Sequence, residues 1–176
     1  MEEGNLVMNS KDRLKAAFDS GVAFEKKYHG CAQCAVGALY EVFPELRNDD
    51  IFRAASGLGG GVGLTCRGHC GGLTGGVMVL SQLYGRELSE IADPERKRGV
   101  AFGLGEEMVQ KFLDKYGTII CGEIHERVMG RPYNLLDPAD KQAFETAGGH
   151  TTACPSVVGN AVRWAAELIL EAKERA

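Results

Sequence analysis

The chain has 176 residues, of which 44% are hydrophobic and 25% are charged, and its formal net charge is −4. This length and composition are typical of one globular domain that buries its own core. The negative charge gives no electrostatic basis for binding nucleic acid, and no segment approaches the ~20 apolar residues of a membrane span.

Apolar residues recur at helical spacing through most of the chain. Ser10 is predicted to cap the first helix, Pro94 to lie in the first turn of a long helix, and Gly117 to end that helix. In chain order, the predicted helical segments begin near Ser10, Cys31, Asp49 or Asp50, Leu73, Pro94, Ile120, Asp137 and Pro155.

No strand is predicted, because β-branched residues never alternate with polar ones over a useful length. The sequence therefore predicts an all-α fold. We expect a single-domain bundle of about seven helices over residues 1–176, with a glycine-rich, cysteine-containing loop between helices and a flexible N-terminal segment, residues 1–9.

The glycine-rich stretch reads GLGGGVGLTCRGHCGG and runs from Gly57 to Gly72. It contains neither GxGxxG nor GxxxxGK(S/T) and follows no predicted strand, so a phosphate-binding loop is not favoured. A flexible linker between helices is the plain alternative. Its cysteines lie where the chain re-enters a helix, which favours a cysteine site over a linker.

Six cysteines are the main indication of function. The N-terminal sequence is charged and has no apolar run of signal-peptide length, so we expect a cytoplasmic protein with reduced thiols. Thiols in that compartment favour metal, cluster or redox chemistry over structural disulfides.

Four of the cysteines lie near predicted helix starts, where the helix dipole lowers a thiol pKa and favours the thiolate. Several helix starts directed at one point would suit an anionic iron–sulfur cluster. Glycine-rich turns would supply N–H donors to the cluster sulfurs, at Gly68 and Gly71. The opposing interpretation is that these cysteines are small core residues. The four are Cys31, Cys70, Cys121 and Cys154.

The remaining cysteines, Cys34 and Cys66, are candidate additional or exchangeable ligands. Cys34 forms a CxxC spacing with Cys31, which resembles a thioredoxin-type dithiol but lacks the βαβ context of that motif. The spacing of Cys66 and Cys70 has no standard meaning by itself.

Each of the four histidines lies close to a cysteine in the sequence. The plain interpretation of each is a surface or satisfied polar residue, and the alternatives are metal ligation or hydrogen bonding to a thiolate. His69 is adjacent to Cys70 and is a candidate metal ligand together with the cysteines. On a helix, Cys121 and His125 would share one face. The other two histidines are His29 and His150.

Several segments carry a family pattern: HGCAQCAVGAL, then ASGLGGGVG followed by CGGLTGG, then KYGTIICGEI, then ACPSVVGNAVRWAAELI. Together they resemble the C_GCAxxG_C_C family of putative redox-active proteins, over most of the chain. The family's four cysteines fall on the four helix-start cysteines. The literal GCAxxG is absent, because the local sequence Cys70-Gly71-Gly72-Leu73-Thr74-Gly75 has glycine where alanine is expected. The resemblance implies a helical redox protein, some of whose relatives are joined to electron-transfer modules.

Three functions follow from these residues. The leading hypothesis is electron transfer or redox sensing through an iron–sulfur cluster held by the four helix-start cysteines, with a partner protein supplying or taking electrons. The second is a metal-free thiol–disulfide oxidoreductase that uses either Cys31 with Cys34 or Cys66 with Cys70. The third is a structural zinc site of cysteines completed by one histidine. The histidines considered for zinc are His69, His125 and His150.

A homodimer is a further, weaker expectation. Wide apolar faces on the predicted helices suggest it, including the face around Trp164 with Val157 and Ala161 on the last helix.

Overall fold

The computed structural model describes residues 9–175, apart from the side chain of Arg175. Residues 9–175 fold into eight α-helices and contain no β-strand, which confirms the predicted all-α class. The number is close to the expected seven or so, and each helix begins near one of the predicted starts. None of the described helices is both long enough and apolar enough to cross a bilayer. The helices are α1 (Ser10–Tyr28), α2 (Cys31–Val42), α3 (Asp49–Ala54), α4 (Gly71–Tyr84), α5 (Lys97–Tyr116), α6 (Cys121–Met129), α7 (Pro138–Thr146) and α8 (Cys154–Arg175).

The N-terminal end of α1 differs from the prediction in one detail. Its cap is Asn9 and not Ser10, because the Asn9 side chain accepts a hydrogen bond from the N–H of Asp12 at 2.9 Å. Ser10 is the first helical residue. The predicted flexible segment, residues 1–9, lies outside the described residues except for Asn9.

The start of α5 was predicted at Pro94 and is found at Lys97. The carboxylate of Asp93 accepts hydrogen bonds from the N–H groups of Lys97 and Arg98, at 2.7 and 3.1 Å, and so satisfies the first turn of the helix from outside it. Gly117 ends α5 with a left-handed φ of 72°, as predicted.

One hydrophobic core joins α1, α2, α4, α5 and α8. Two pairs of helices approach so closely that a side chain would not fit. A Cβ at Gly75 of α4 would lie 2.4 Å from the carbonyl oxygen of Ala32 in α2, and one at Gly159 of α8 would lie 2.9 Å from the carbonyl oxygen of Phe18 in α1. These contacts hold α2 against α4 and α1 against α8, and so position the cysteines at the starts of α2, α4 and α8.

A second, smaller cluster covers the start of α6. It contains Cys66 and Cys121 together with three large side chains, and Cys154 packs against it. The large side chains are Tyr133, Leu135 and Phe144. The chain after α6 therefore covers most of Cys66 and Cys121, which are 7% and 5% exposed.

The apolar face of α8 is covered within one chain. Trp164 is 7% exposed, and its ring packs edge-on against that of Phe112 with 5.3 Å between centroids. Val157 and Ala161 are also buried. This face therefore lends no support to a homodimer, which stays a prediction.

Candidate functional site

The four helix-start cysteines line one cavity of about 50 Å³. Cys31, Cys121 and Cys154 are the first residues of α2, α6 and α8. Cys70 is the N-cap residue of α4. The predicted positions at helix starts are therefore confirmed, and all four residues are free thiols. The cavity brings together thiols from four separate parts of the chain.

A short antiparallel contact sets Cys70 beside Cys121. The N–H of Cys70 donates to the carbonyl of Ile119 at 2.8 Å, and the N–H of Cys121 donates to the carbonyl of Gly68 at 2.9 Å. Both bonds are made by the backbone, so they fix the relative positions of the two cysteines whichever side chains surround them.

The glycine-rich stretch is a hydrogen-bonded turn over Cys31 and not an open linker. Residues 60–64 all have left-handed backbone conformations, with φ between 57° and 66°. Such a run is rare because it strains every residue other than glycine. The N–H of Cys66 closes the turn on the carbonyl of Gly60 at 2.9 Å. The N–H of Gly60 in turn donates to Sγ of Cys31 at 3.4 Å.

The two glycines predicted to contact a cofactor differ in whether their N–H group points at a cavity sulfur. The N–H of Gly71 hydrogen-bonds to Cys31, and a Cβ at this position would lie 2.3 Å from Sγ of Cys31. The N–H of Gly68 donates to the carbonyl of Gly61 at 3.0 Å. Contrary to the expectation, Gly68 therefore has no free N–H for a cluster sulfur.

Burial dominates the ionisation of the cavity thiols. It raises the pKa of Cys31 and of Cys154 well above the ordinary value, and the pKa of Cys70 to about 11. The N–H groups of Gly72 and Leu73 lower the pKa of Cys70, but by less than burial raises it. The N–H groups at the helix starts thus lower the pKa values of Cys31 and Cys70 in the expected direction, but burial has the larger effect and the net pKa of each metal-free thiol is raised. The thiols become thiolates together only when a cation neutralises them.

Cys66, Cys121 and His125 form a compact group, in which the two sulfurs and one imidazole nitrogen all lie within 4.8 Å of one another. The Nε2 of His125 lies 3.6 Å from Sγ of Cys121 and 3.8 Å from Sγ of Cys154. The shared helix face predicted for Cys121 and His125 is therefore confirmed. Hydrogen bonding between the two thiols lowers the pKa of Cys66 and raises that of Cys121. This makes Cys66 the acceptor of the pair.

Two candidate ligands lie away from the cavity. The Sγ of Cys34 donates to the carbonyl of His29 at 2.9 Å and faces a separate groove. His69 is exposed and lies in a groove between α4 and α5. Adjacent residues of an extended segment point to opposite sides, so the inward position of Cys70 directs His69 outward.

His150 lines the cavity, and its Nδ1 lies 2.7 Å from Oε1 of Glu145. Its ring stacks on that of His29, with 3.9 Å between centroids. Among the cavity cysteines, Cys31 and Cys154 are partly exposed, whereas the other two are buried. Residue exposure is thus greater on the side of Cys31 and Cys154, although the two sulfurs themselves are buried.

A buried carboxyl group that sequence reasoning missed also lines the cavity. Glu25 is 2% exposed, and its Oε2 has no hydrogen-bond partner in the described part of the chain. Burial raises the pKa of Glu25 to about 7, although a hydrogen bond with Cys34 lowers it. Its position in the sequence indicates burial, because Glu25 lies one helical turn after Gly21 on the apolar face of α1.

Replacing Glu25 by glutamine is expected to remove a pH-dependent loss of stability. The pKa of Glu25 rises from 4.5 to about 7 on folding. The carboxyl group therefore favours folding below about pH 4.5 and loses this contribution as the pH rises through 7. Relative to wild type, the free energy of unfolding of E25Q should rise by about 3 kcal/mol between pH 4.5 and pH 8. Urea denaturation of the metal-free, reduced proteins measures this difference.

The matched control is Glu107→Gln on the exposed side of α5. Its stability relative to wild type should not change with pH in this range. If E25Q behaves like this control, the buried carboxyl group does not have the raised pKa described here.

Comparisons with known proteins place the chain in a family. No curated protein and no solved structure matches the sequence. The model of the family described as "Putative redox-active protein (C_GCAxxG_C_C)" matches residues 29–168, a span that includes all six cysteines. The resemblance found in the sequence is thereby confirmed, and the chain belongs to the C_GCAxxG_C_C family of redox-active proteins.

Proposed function

We propose that this protein transfers electrons or senses redox state through an iron–sulfur cluster. The observation that carries the proposal is that free thiols from four separate helix starts line one cavity. Four cysteine thiolates are the usual ligand set of both two-iron and four-iron clusters. Membership of a redox-active family supports the redox role. The proposed ligands are Cys31, Cys70, Cys121 and Cys154.

The spacing of the thiols favours a cluster over a single tetrahedral ion. Within residues 9–175, only Cys66, Cys121 and His125 bring three ligand atoms of histidine, cysteine or acidic residues within 4.8 Å of one another. No three of the cavity cysteines are therefore this close, whereas four sulfurs around one zinc ion lie about 3.8 Å apart. A four-iron cluster holds its cysteines farther apart because each thiolate binds a different iron atom, and a two-iron cluster brings no more than two cysteines onto one iron atom.

The surroundings of the cavity also fit an anionic cluster. A bound cluster supplies a reversible electron-transfer couple and the positive metal charge that four buried thiolates need. The N–H of Gly60 at Cys31, and those of Gly72 and Leu73 at Cys70, stabilise added negative charge on the sulfurs. These donors would raise the reduction potential.

A partner protein would exchange electrons on the side of the site with the greater residue exposure. That side is formed by Cys31 and Cys154, which are partly exposed and lie beside the stacked rings of His29 and His150. We place the protein in the cytoplasm, where six unpaired thiols remain reduced. Neither nucleic acid nor a membrane is part of the proposal.

Anaerobic purification tests the proposal. We expect a coloured protein that contains iron and acid-labile sulfide in equal amounts, with visible absorption that bleaches on reduction. A colourless protein without iron, purified in the absence of air from cells supplied with iron, would overturn the proposal.

A structural zinc site is the second candidate, favoured by the short distances among Cys66, Cys121 and His125. These distances approach those of ligands around one tetrahedral ion. Metal analysis separates the two functions. One tightly bound zinc per chain, no sulfide, and unfolding by a chelator would select zinc.

A further inference from the structure

Cys66 lies between the cysteine cavity and a separate, open groove. The groove has a volume of about 550 Å³ and lies between the segment around Cys66 and the residues that follow α6. Cys121 contacts Cys66 but lines the cavity and not the groove. The two thiols therefore connect the groove with the proposed cluster site.

The two cysteines are close enough to form a disulfide. Their Sγ atoms lie within 4.8 Å of each other, and the N–H of Gly122 donates to the carbonyl of Cys66 at 2.8 Å. A Cβ at Gly61 would lie 2.9 Å from Cα of Cys66 and 2.8 Å from Cβ of Cys121. Cα of Cys66 and Cβ of Cys121 are therefore less than about 6 Å apart, which is compatible with the Cα–Cα separation of about 4.4–6.8 Å in disulfides. The antiparallel contact thus sets Cys121 against Cys66, whereas the sequence suggests Cys66 with Cys70 as one of two alternative pairs.

The groove suits a small disulfide that carries carboxylate groups. Arg67 lines it, is exposed, and makes no ion pair with any residue in the described part of the chain. Tyr133 forms an apolar wall, and the guanidinium of Arg131 lies 3.9 Å from the centroid of its ring. A volume of this size holds a small molecule. Asp140 also lines the groove, but its carboxylate is paired with Arg131 at 2.7 Å. The guanidinium of Arg67, which has no such partner among residues 9–175 and lines the same groove as Cys66, would therefore bind a carboxylate of that molecule.

We propose that Cys66 reacts with a low-molecular-weight disulfide in this groove and that Cys121 completes the exchange. The Cys66 thiolate attacks one sulfur of the disulfide, so a mixed disulfide forms, the sulfur–sulfur bond of the small molecule breaks, and one thiolate leaves. The Cys121 sulfur then attacks Cys66, the Cys66–Cys121 bond forms, and the second thiolate leaves. Two cysteines are oxidised to the disulfide and the small disulfide is reduced to two thiols. In the metal-free protein the two cysteine protons pass to the leaving thiolates. In the loaded protein the bond from Cys121 to iron would break, and solvent would supply the proton that Cys121 lacks.

This inference deepens the proposed function and rests on it for its consequence. Cys121 is one of the four proposed cluster ligands, so the disulfide removes a ligand and releases the cluster. A small-molecule disulfide that binds in the groove, outside the cavity, thereby changes the state of the metal site. This is the behaviour of a redox sensor.

Oxidised glutathione, added anaerobically to the iron-loaded protein, tests the inference. We expect loss of visible absorption together with a Cys66–Cys121 disulfide in the peptide mass map. The loss should be at least tenfold slower in Cys66→Ser and unchanged in Cys34→Ser, whose thiol lies outside the cavity. In Arg67→Ala the reaction should slow with oxidised glutathione but not with uncharged hydroxyethyl disulfide. A disulfide between other cysteines, or a wild-type rate in C66S, overturns the inference.

The same mass map on metal-free protein separates the two proposals. If the purified protein contains no cluster, the proposed function fails, yet a Cys66–Cys121 disulfide in metal-free wild type still supports the exchange. If C66S does not fold, the presence or absence of the Cys66–Cys121 disulfide in wild type alone decides whether the exchange proposal holds. Absence of the disulfide in both forms of the protein overturns the exchange and leaves the cluster proposal standing.

Discussion

Cys70→Ser is expected to abolish cluster binding without weakening the fold. Cys70 is buried at the N-cap of α4 and lines the cavity, and its side chain makes no capping hydrogen bond. Serine is a poor ligand for iron but a preferred N-cap residue. Bound iron and sulfide should fall at least tenfold, while the free energy of unfolding of the metal-free protein should stay the same or rise by up to about 1 kcal/mol.

The matched control is Cys34→Ser, because Cys34 is also buried but donates to the carbonyl of His29 outside the cavity. A serine hydroxyl can make the same bond, so the variant should keep its full iron content. Iron retained in C70S, or lost equally in C34S, would show that the cavity cysteines are not the ligands.

Gly71→Ala is expected to have the second-largest effect, on both stability and metal binding. The new Cβ would lie 2.3 Å from Sγ of Cys31 and 2.9 Å from the backbone nitrogen of Ala32. Because one of these neighbours is backbone, α4 must move away from α2, and the distance between Cys31 and Cys70 increases. We expect a loss of about 1–3 kcal/mol in the free energy of unfolding and a clear fall in iron content.

Gly103→Ala on α5 is the control, since a Cβ there meets no atom within 4 Å. It should stabilise the protein by about 0.5–1 kcal/mol, the usual gain of alanine over glycine inside a helix. Urea denaturation and iron analysis of both variants provide the measurements. If G71A is as stable and as iron-rich as G103A, the start of α4 does not pack tightly against Cys31.

The helix starts of the cysteines could be predicted because their signals are local. A glycine precedes Cys31 directly, and Pro155 follows Cys154 in the first turn of α8, so sequence spacing alone indicates where these helices begin. The start of α5 could not be predicted in this way. The side chain that satisfies its first turn is Asp93, four residues before the helix. Proline is common in first helical turns, so the sequence places the start at Pro94, three residues too early.

The partners of Cys66 could not be predicted, because they come from a distant part of the chain. The antiparallel contact joins Cys70 to Ile119 and Gly122 to Cys66. No periodic pattern in the sequence indicates such a contact. The same contact explains why His69, adjacent to Cys70 in sequence, lies outside the cavity. Proximity along the chain is a poor guide to ligands in extended segments, where neighbours alternate sides.

Diffraction from crystals of the anaerobically purified protein, measured at the iron absorption edge, tests the central claim most directly. The account predicts anomalous density inside the cavity, within bonding distance of the sulfurs of Cys31, Cys70, Cys121 and Cys154. Density centred instead among Cys66, Cys121 and His125, or no iron in the cavity of a fully loaded crystal, would contradict it.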